Sequence, residues 1–197
     1  MSIFSIFKRT PTTGASNTLP KKEDLIQKEL DRLNSMDSVI RLRALASLEH
    51  INDERIVPAF CKVLTNDGSP HVRKRVLEIL SSYQDKKLLP YFQKALKDND
   101  SDVREEAARM LWSTSLYDLS SINLFIEALN DSSKYLRKTA VIGLVTLAEH
   151  YGSSKDLKGY KIFESLVSLS ARESENYVIE ELTKAKAKLA KLGLNKI

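Results

Sequence analysis

The chain has 197 residues, 42% of them apolar and 29% charged, with a net charge of +5; that is enough for one folded domain with its own core. Six glycines and five prolines are too few for the many turns of a β-sandwich. The single cysteine, Cys61, can close no internal disulfide, which places the chain in a reducing compartment, the cytoplasm.

In chain order, residues 1–20 read as a flexible extension. Ile3, Phe4, Ile6 and Phe7 form an apolar hook ahead of Lys8-Arg9, and PTTGASNTLP follows as a linker with no core-forming residues. The hook is expected to dock on a partner or on the folded body, or to touch a membrane surface weakly through residues 3–9. MSIFSIFKR has no basic stretch before its apolar residues and no small-residue cleavage site, so it is not read as a secretory signal. No apolar run reaches the roughly 18–20 residues of a membrane span.

The folded body is expected over residues 21–194. KEDLIQKELDRLN (22–34) reads as a first helix, and then four segments align: IRLRALASL (40–48), VRKRVLEIL (72–80), VREEAARML (103–111) and LRKTAVIGL (136–144). Each opens with an aliphatic residue and Arg and repeats apolar residues at helical spacing. Their starts are 32, 31 and 33 residues apart, a period that means stacked supersecondary units. RIVPAFCKVL (55–64), KLLPYFQKAL (87–96) and INLFIEAL (122–129) supply a partner helix to the later three. Pro58 and Pro90 sit where a first helical turn tolerates them. TNDGSP, KDNDSD and NDSSK between the paired helices are turn and N-cap sequences. A longer connector, residues 150–160, leads to a fifth pair at 160–172 and 176–192. No stretch alternates with period two over strand length, so the reading is all-α, about five helical hairpins in a row.

The positive charge sits at the two ends. Residues 1–20 carry +2, residues 181–197 carry +4, and the stretch between them carries −1. A protein that tracks phosphates usually has its basic stripe on the folded surface. The Lys-rich C-terminus reads as the polar outer face of a closing helix.

Few groups converge for chemistry. His50, His71 and His150 fall in different units, one cysteine cannot make a Cys/His zinc set, and no phosphate-binding glycine loop is present. Asp98, Asp100 and Asp102 alternate as in a calcium loop but lack its glycine and distal glutamate. Cys61, beside Phe60, Val63 and Leu64, reads as a buried thiol. Trp112 is read as a packing residue, with an inner-surface anchor as the alternative. No catalytic residue, metal or cofactor is assigned.

The order Pro58…Asp67…Val72-Arg73 and Pro90…Asp98…Val103-Arg104, continued by Asp131…Leu136-Arg137, resembles the HEAT repeat family. Ser35 stands at the Asp position of the first unit, Asn123 stands where the fourth would have proline, and the fifth lacks the Asp and Arg. The resemblance runs over roughly residues 22–192 and is carried by the middle three units. It implies an α-solenoid in which Asp67, Arg73, Asp98, Arg104, Asp131 and Arg137, with Arg41, form a structural ladder along the stacked turns. It also implies a concave face lined by the second helix of each hairpin. Solvent-facing candidates there are Leu42, Arg43 and Ala46 in the first unit, and Lys74, Arg75 and Glu78 in the second. The third offers Glu105, Glu106 and Arg109, and the fourth Lys138, Thr139 and Ile142. Mixed charge with occasional aliphatics suits a protein partner better than a polyphosphate. The expected role is a non-enzymatic adaptor, scaffold or assembly factor. The resemblance extends to phycobilin lyase and phycobilisome-associated HEAT-like proteins, which handle a tetrapyrrole on a client protein. Nucleic-acid binding or repair is disfavoured because Glu78, Glu105 and Glu106 interrupt the basic positions.

Overall fold

A computed structural model describes residues 22–113, 121–151 and 157–194. The described residues form ten α-helices, one short 3-10 turn at Lys86–Leu88 and no strand. The helices pair in chain order: α1 (Lys22–Arg32) with α2 (Ser38–Leu48), α3 (Ile56–Asn66) with α4 (Pro70–Ser81), and α5 (Leu89–Ala95) with α6 (Ser101–Ser113). They are followed by α7 (Ser121–Ala128) with α8 (Lys134–Tyr151), and α9 (Leu157–Ser170) with α10 (Asn176–Lys191). The hook residues Ile3, Phe4, Ile6 and Phe7 lie outside the described residues.

The turn sequences start the second helices as their chemistry requires. Asp37 accepts the Val39 amide at 2.8 Å, capping α2. Asp100 accepts the amides of Asp102 and Val103 at 3.0 and 3.2 Å, capping α6. These two bonds account for Asp100 as a helix cap. Pro70 opens α4 and Pro90 sits in the first turn of α5, where a missing N–H loses nothing. α10 ends in a Schellman turn: Gly193 has φ 78°, its amide reaches Ala190 O, and the Leu194 amide reaches Leu189 O. Leu194 and Leu189 are both buried and close the last unit from below.

One contiguous core runs the length of the row. Phe60, Phe92 and Phe125 are each wholly buried, one per first helix in three successive hairpins. The second helices answer with Leu45, Leu77, Ala108 and Val141, and one turn on with Leu48, Leu80, Leu111 and Leu144, all at 0% exposure. Removing a side chain of this kind from water stabilises by about 2 kcal/mol.

Successive second helices pack against one another along the row, and successive first helices meet less extensively. The row therefore curves with the second helices on the inside. The connector between the fourth and fifth hairpins is shorter than residues 150–160. α8 continues to Tyr151 because nothing in Glu149-His150-Tyr151 breaks a helix, and α9 already begins at Leu157.

Candidate functional site

Two lines of polar residues run along the second helices. The first lies at the turns. Arg41 donates through Nε and Nη2 to both carboxylate oxygens of Asp67, at 2.6 and 2.8 Å, and through Nη1 to Ser35 O at 2.7 Å. Arg73 forks to Asp98 at 2.8 and 2.6 Å and holds Asp67 O at 2.7 Å. Arg104 forks to Asp131, both at 2.8 Å, and holds Asp98 O at 2.9 Å. Arg137 forks to Glu173 at 2.7 and 3.0 Å and holds Asp131 O at 3.0 Å. Each arginine thus ties the carbonyl six residues before it to the acid of the next hairpin's turn. Each acid also accepts the amide two residues on: Ser69 at 2.8 Å, Asp100 at 2.9 Å, Ser133 at 2.8 Å and Glu175 at 3.0 Å. None of these eight side chains is more than 16% exposed.

Glu173 supplies the acid that the sequence pattern lacked in the fifth unit. The residue six positions after it is Ile179, 38% exposed, so the ladder stops where no further hairpin needs tying.

Ionisation follows from these contacts. Burial alone would raise Asp98, but the Arg73 guanidinium, the Asp100 amide and the nearby Arg104 hold it below the usual carboxylate range. Asp131 is lowered in the same way against its own burial, by Arg104 and the Ser133 amide. Glu173 is lowered by Arg137 first, burial opposing. The native state thus binds these protons less readily than the unfolded chain does. The stabilisation is complete above the ordinary carboxylate value of about 4 and disappears as pH falls through the lower folded values. Thermal melts should be flat from about pH 7 to 5 and fall steeply below about pH 4. Asp131→Asn should melt lower at neutral pH and show a shallower acid fall. An acid limb unchanged by that substitution would contradict this source of acid sensitivity.

The second line is the inner stripe of the second helices. Arg75 binds Glu49 at 2.6 Å and Glu78 at 3.0 Å. Arg109 binds Glu106 at 2.5 Å and feels Glu78 and Glu105. Lys74 faces Glu105, whose carboxyl is raised by burial, then by Asp102. Lys138 reaches Glu181 at 3.9 Å and lies 3.5 Å from the centroid of the Tyr177 ring. Arg43 is exposed, and Ile142 and Thr139 are half-buried. Glu106 corrects an expectation: it is buried, not solvent-facing, because the Arg109 side chain folds over it. The inner charges consequently alternate in sign from one helix to the next and largely satisfy one another.

Three residues on this stripe were not singled out from sequence. Glu49 is the acid that holds Arg75. Tyr135 stands one turn before Lys138 on α8, and Tyr177 lies in the first turn of α10, with ring centroids 5.7 Å apart and edge to face. The signal available was helical spacing, since Tyr135 lies three residues before Lys138 and seven before Ile142 on one face.

The remaining candidates fall away from this surface. His50 and His71 are exposed, and no group of His, Cys, Asp or Glu among the described residues could hold a metal. Cys61 is buried, and burial pushes its thiol up, the opposite of an activated nucleophile. Trp112 packs half-buried against the core. No helix among the described residues is long and apolar enough to cross a membrane.

Residues 26–112 match the family model for HEAT repeats. No curated protein matches the chain. Among solved structures, an engineered protein is similar at 22% identity and TM-score 0.55, over 84% of this chain and 79% of the other. A designed armadillo repeat protein in complex with the peptide (KR)4 is similar at 20% identity and TM-score 0.52, over 86% and 88%. A second designed armadillo repeat protein gives 19% and 0.53, over 84% and 82%. At these identities the likeness is one of fold. Hairpins, ladder and family match agree: the chain is an all-α solenoid of HEAT-like repeats, and its residues 26–112 match the HEAT repeat family model.

Proposed function

We propose that the chain is a non-enzymatic adaptor, scaffold or assembly factor of the cytoplasm that binds a protein segment along its inner, second-helix face. The observation that carries this reading is the inner stripe itself. Arg43, Lys74, Arg75, Glu78, Glu105, Arg109, Lys138 and Ile142 present both charge signs, a partly exposed aliphatic residue and neighbouring tyrosines, with Glu106 buried beneath Arg109. That composition orients and selects a protein surface. Four arginines that would otherwise strengthen a phosphate track, Arg41, Arg73, Arg104 and Arg137, spend their donors within the ladder. A designed armadillo repeat protein of similar fold is in complex with the peptide (KR)4, which supports a segment rather than a small molecule as the occupant.

The test compares faces. Lys74→Glu with Ile142→Glu alters the inner stripe, and Lys62→Glu with Lys94→Glu alters exposed positions on the outer helices α3 and α5. Recovery of the native partner from lysate should fall at least tenfold for the inner pair and stay level for the outer pair. Loss with the outer pair alone would reverse the faces. Reversal of Arg109 is not a clean probe, since it strips the buried Glu106 of its partner. A new visible absorbance on adding a bilin with a phycobiliprotein would replace this reading by the tetrapyrrole one.

A further inference from the structure

The first turns of α6, α8 and α10 meet around an open groove of about 490 Å³. Its lining includes Asp102, Ser132, Ser133, Lys134, Tyr135 and Glu175. Tyr135 and Tyr177, set edge to face beside it, are 49% and 44% exposed. Exposed aromatic pairs of this kind are unusual on a solvated face and typical of binding hot spots.

The charges of the groove say what it can take. Lys134 is paired with Glu175 at 3.3 Å, and Arg137 is held by Glu173. The carboxylate of Asp102 is exposed and has no cation paired with it among the described residues. Glu105 lies near it on the same helix, and the two carboxylates feel each other. Once the internal pairs cancel, one negative charge is left beside the Tyr135 ring, which is 49% exposed and already has the Lys134 ammonium 5.6 Å from its centroid. An anion is repelled by that arrangement and a neutral side chain leaves the carboxylate unused.

Resting on the reading that the inner face holds a protein segment, we propose that this groove is the subsite for one arginine of that segment. Its guanidinium stacks on the Tyr135 ring and forks to Asp102. Arginine suits it better than lysine, because only a planar guanidinium stacks and makes two parallel bonds at once. Lys138 already lies 3.5 Å from the centroid of the Tyr177 ring, so a cation on an aromatic ring is a contact this corner of the fold already makes.

The probe is a blocked, labelled octapeptide of alternating Arg and Ala, titrated against the full chain by fluorescence anisotropy at low salt. Its citrulline counterpart keeps the planar shape without the charge and should bind at least tenfold more weakly. Asp102→Asn and Tyr135→Ala should each weaken the arginine peptide about fivefold, and Tyr135→Phe should keep the affinity. Both sites are exposed, so the melting temperature should hold in every variant. Equal binding of the two peptides, or no loss with Asp102→Asn and Tyr135→Ala, overturns the subsite. If the inner pair Lys74→Glu and Ile142→Glu still removes the native partner in that case, the inner-face reading stands and the arginine subsite alone is wrong.

Discussion

Arg73→Leu is expected to lower the unfolding free energy by about 3 kcal/mol. Arg73 is 7% exposed, and its guanidinium satisfies Asp98, Asn99 Oδ1 and the Asp67 carbonyl together. Leucine keeps the volume but leaves the Asp98 carboxylate part-buried without its partner and the turn carbonyl without a donor. For a solenoid of this length that loss is a fall of roughly 6–12 °C in melting temperature. Asp98→Asn in the same background should recover part of it, because a neutral amide tolerates the site better than an orphan carboxylate. A melt within 2 °C of the parent would mean that the rung is ornamental and the stacking purely apolar.

Gly143→Val is expected to cost a similar amount, about 3 kcal/mol, for an unrelated reason. Gly143 lies in the middle of α8, where the wholly buried ring of Phe125 packs directly on the backbone. A Cβ at this position would stand 2.7 Å from Phe125 Cε1, 2.8 Å from Cζ and 3.0 Å from Cδ1. Either the ring or the helix must move. Gly143→Ala should lose only about 1 kcal/mol, since its better helix propensity, worth about 1 kcal/mol, offsets part of the clash. Phe125→Leu combined with Gly143→Ala should be more stable than the sum of the two single losses, because a smaller side chain frees the space that the new methyl needs. Additive losses would show that the two positions do not share that space.

Stability and recognition are thus assigned to different arginines. Arg41, Arg73, Arg104 and Arg137 fix each hairpin to the next, and their burial makes them poor contacts for a ligand. Arg43, Arg75 and Arg109 sit on the inner stripe; Arg109 covers the buried Glu106, while the pairs of Arg75 with Glu49 and Glu78 are exposed enough to be traded for a partner's groups. Surface pairs of that kind contribute about 0–1 kcal/mol each, so opening one to receive a ligand is inexpensive.

The fold was legible because the apolar period and the turn chemistry point to the same architecture. Starts at 40, 72, 103 and 136 fall on equivalent turns of α2, α4, α6 and α8. The six-residue step from Asp67 to Arg73, Asp98 to Arg104 and Asp131 to Arg137 is the distance an arginine needs to reach back to its own turn carbonyl. Glu173 escaped the pattern because it is a longer acid in a unit with Ile179, not arginine, at the ladder position. The site was less legible. Tyr135 and Tyr177 are 42 residues apart and become neighbours only because α8 and α10 stack. The burial of Glu106 depends on which way Arg109 folds, which no local spacing specifies. Sequence periodicity locates a face; which charges on it are free is decided by neighbours one hairpin away.

On the proposed function, the inner wall of second helices receives the partner. A photo-activated cross-linker placed in turn at positions 135 and 142 on the inside, and at 94 and 164 on the outside, tests it most directly. With the native partner bound, adducts are expected from 135 and 142 and none from 94 and 164. Adducts confined to 94 and 164 would contradict the account.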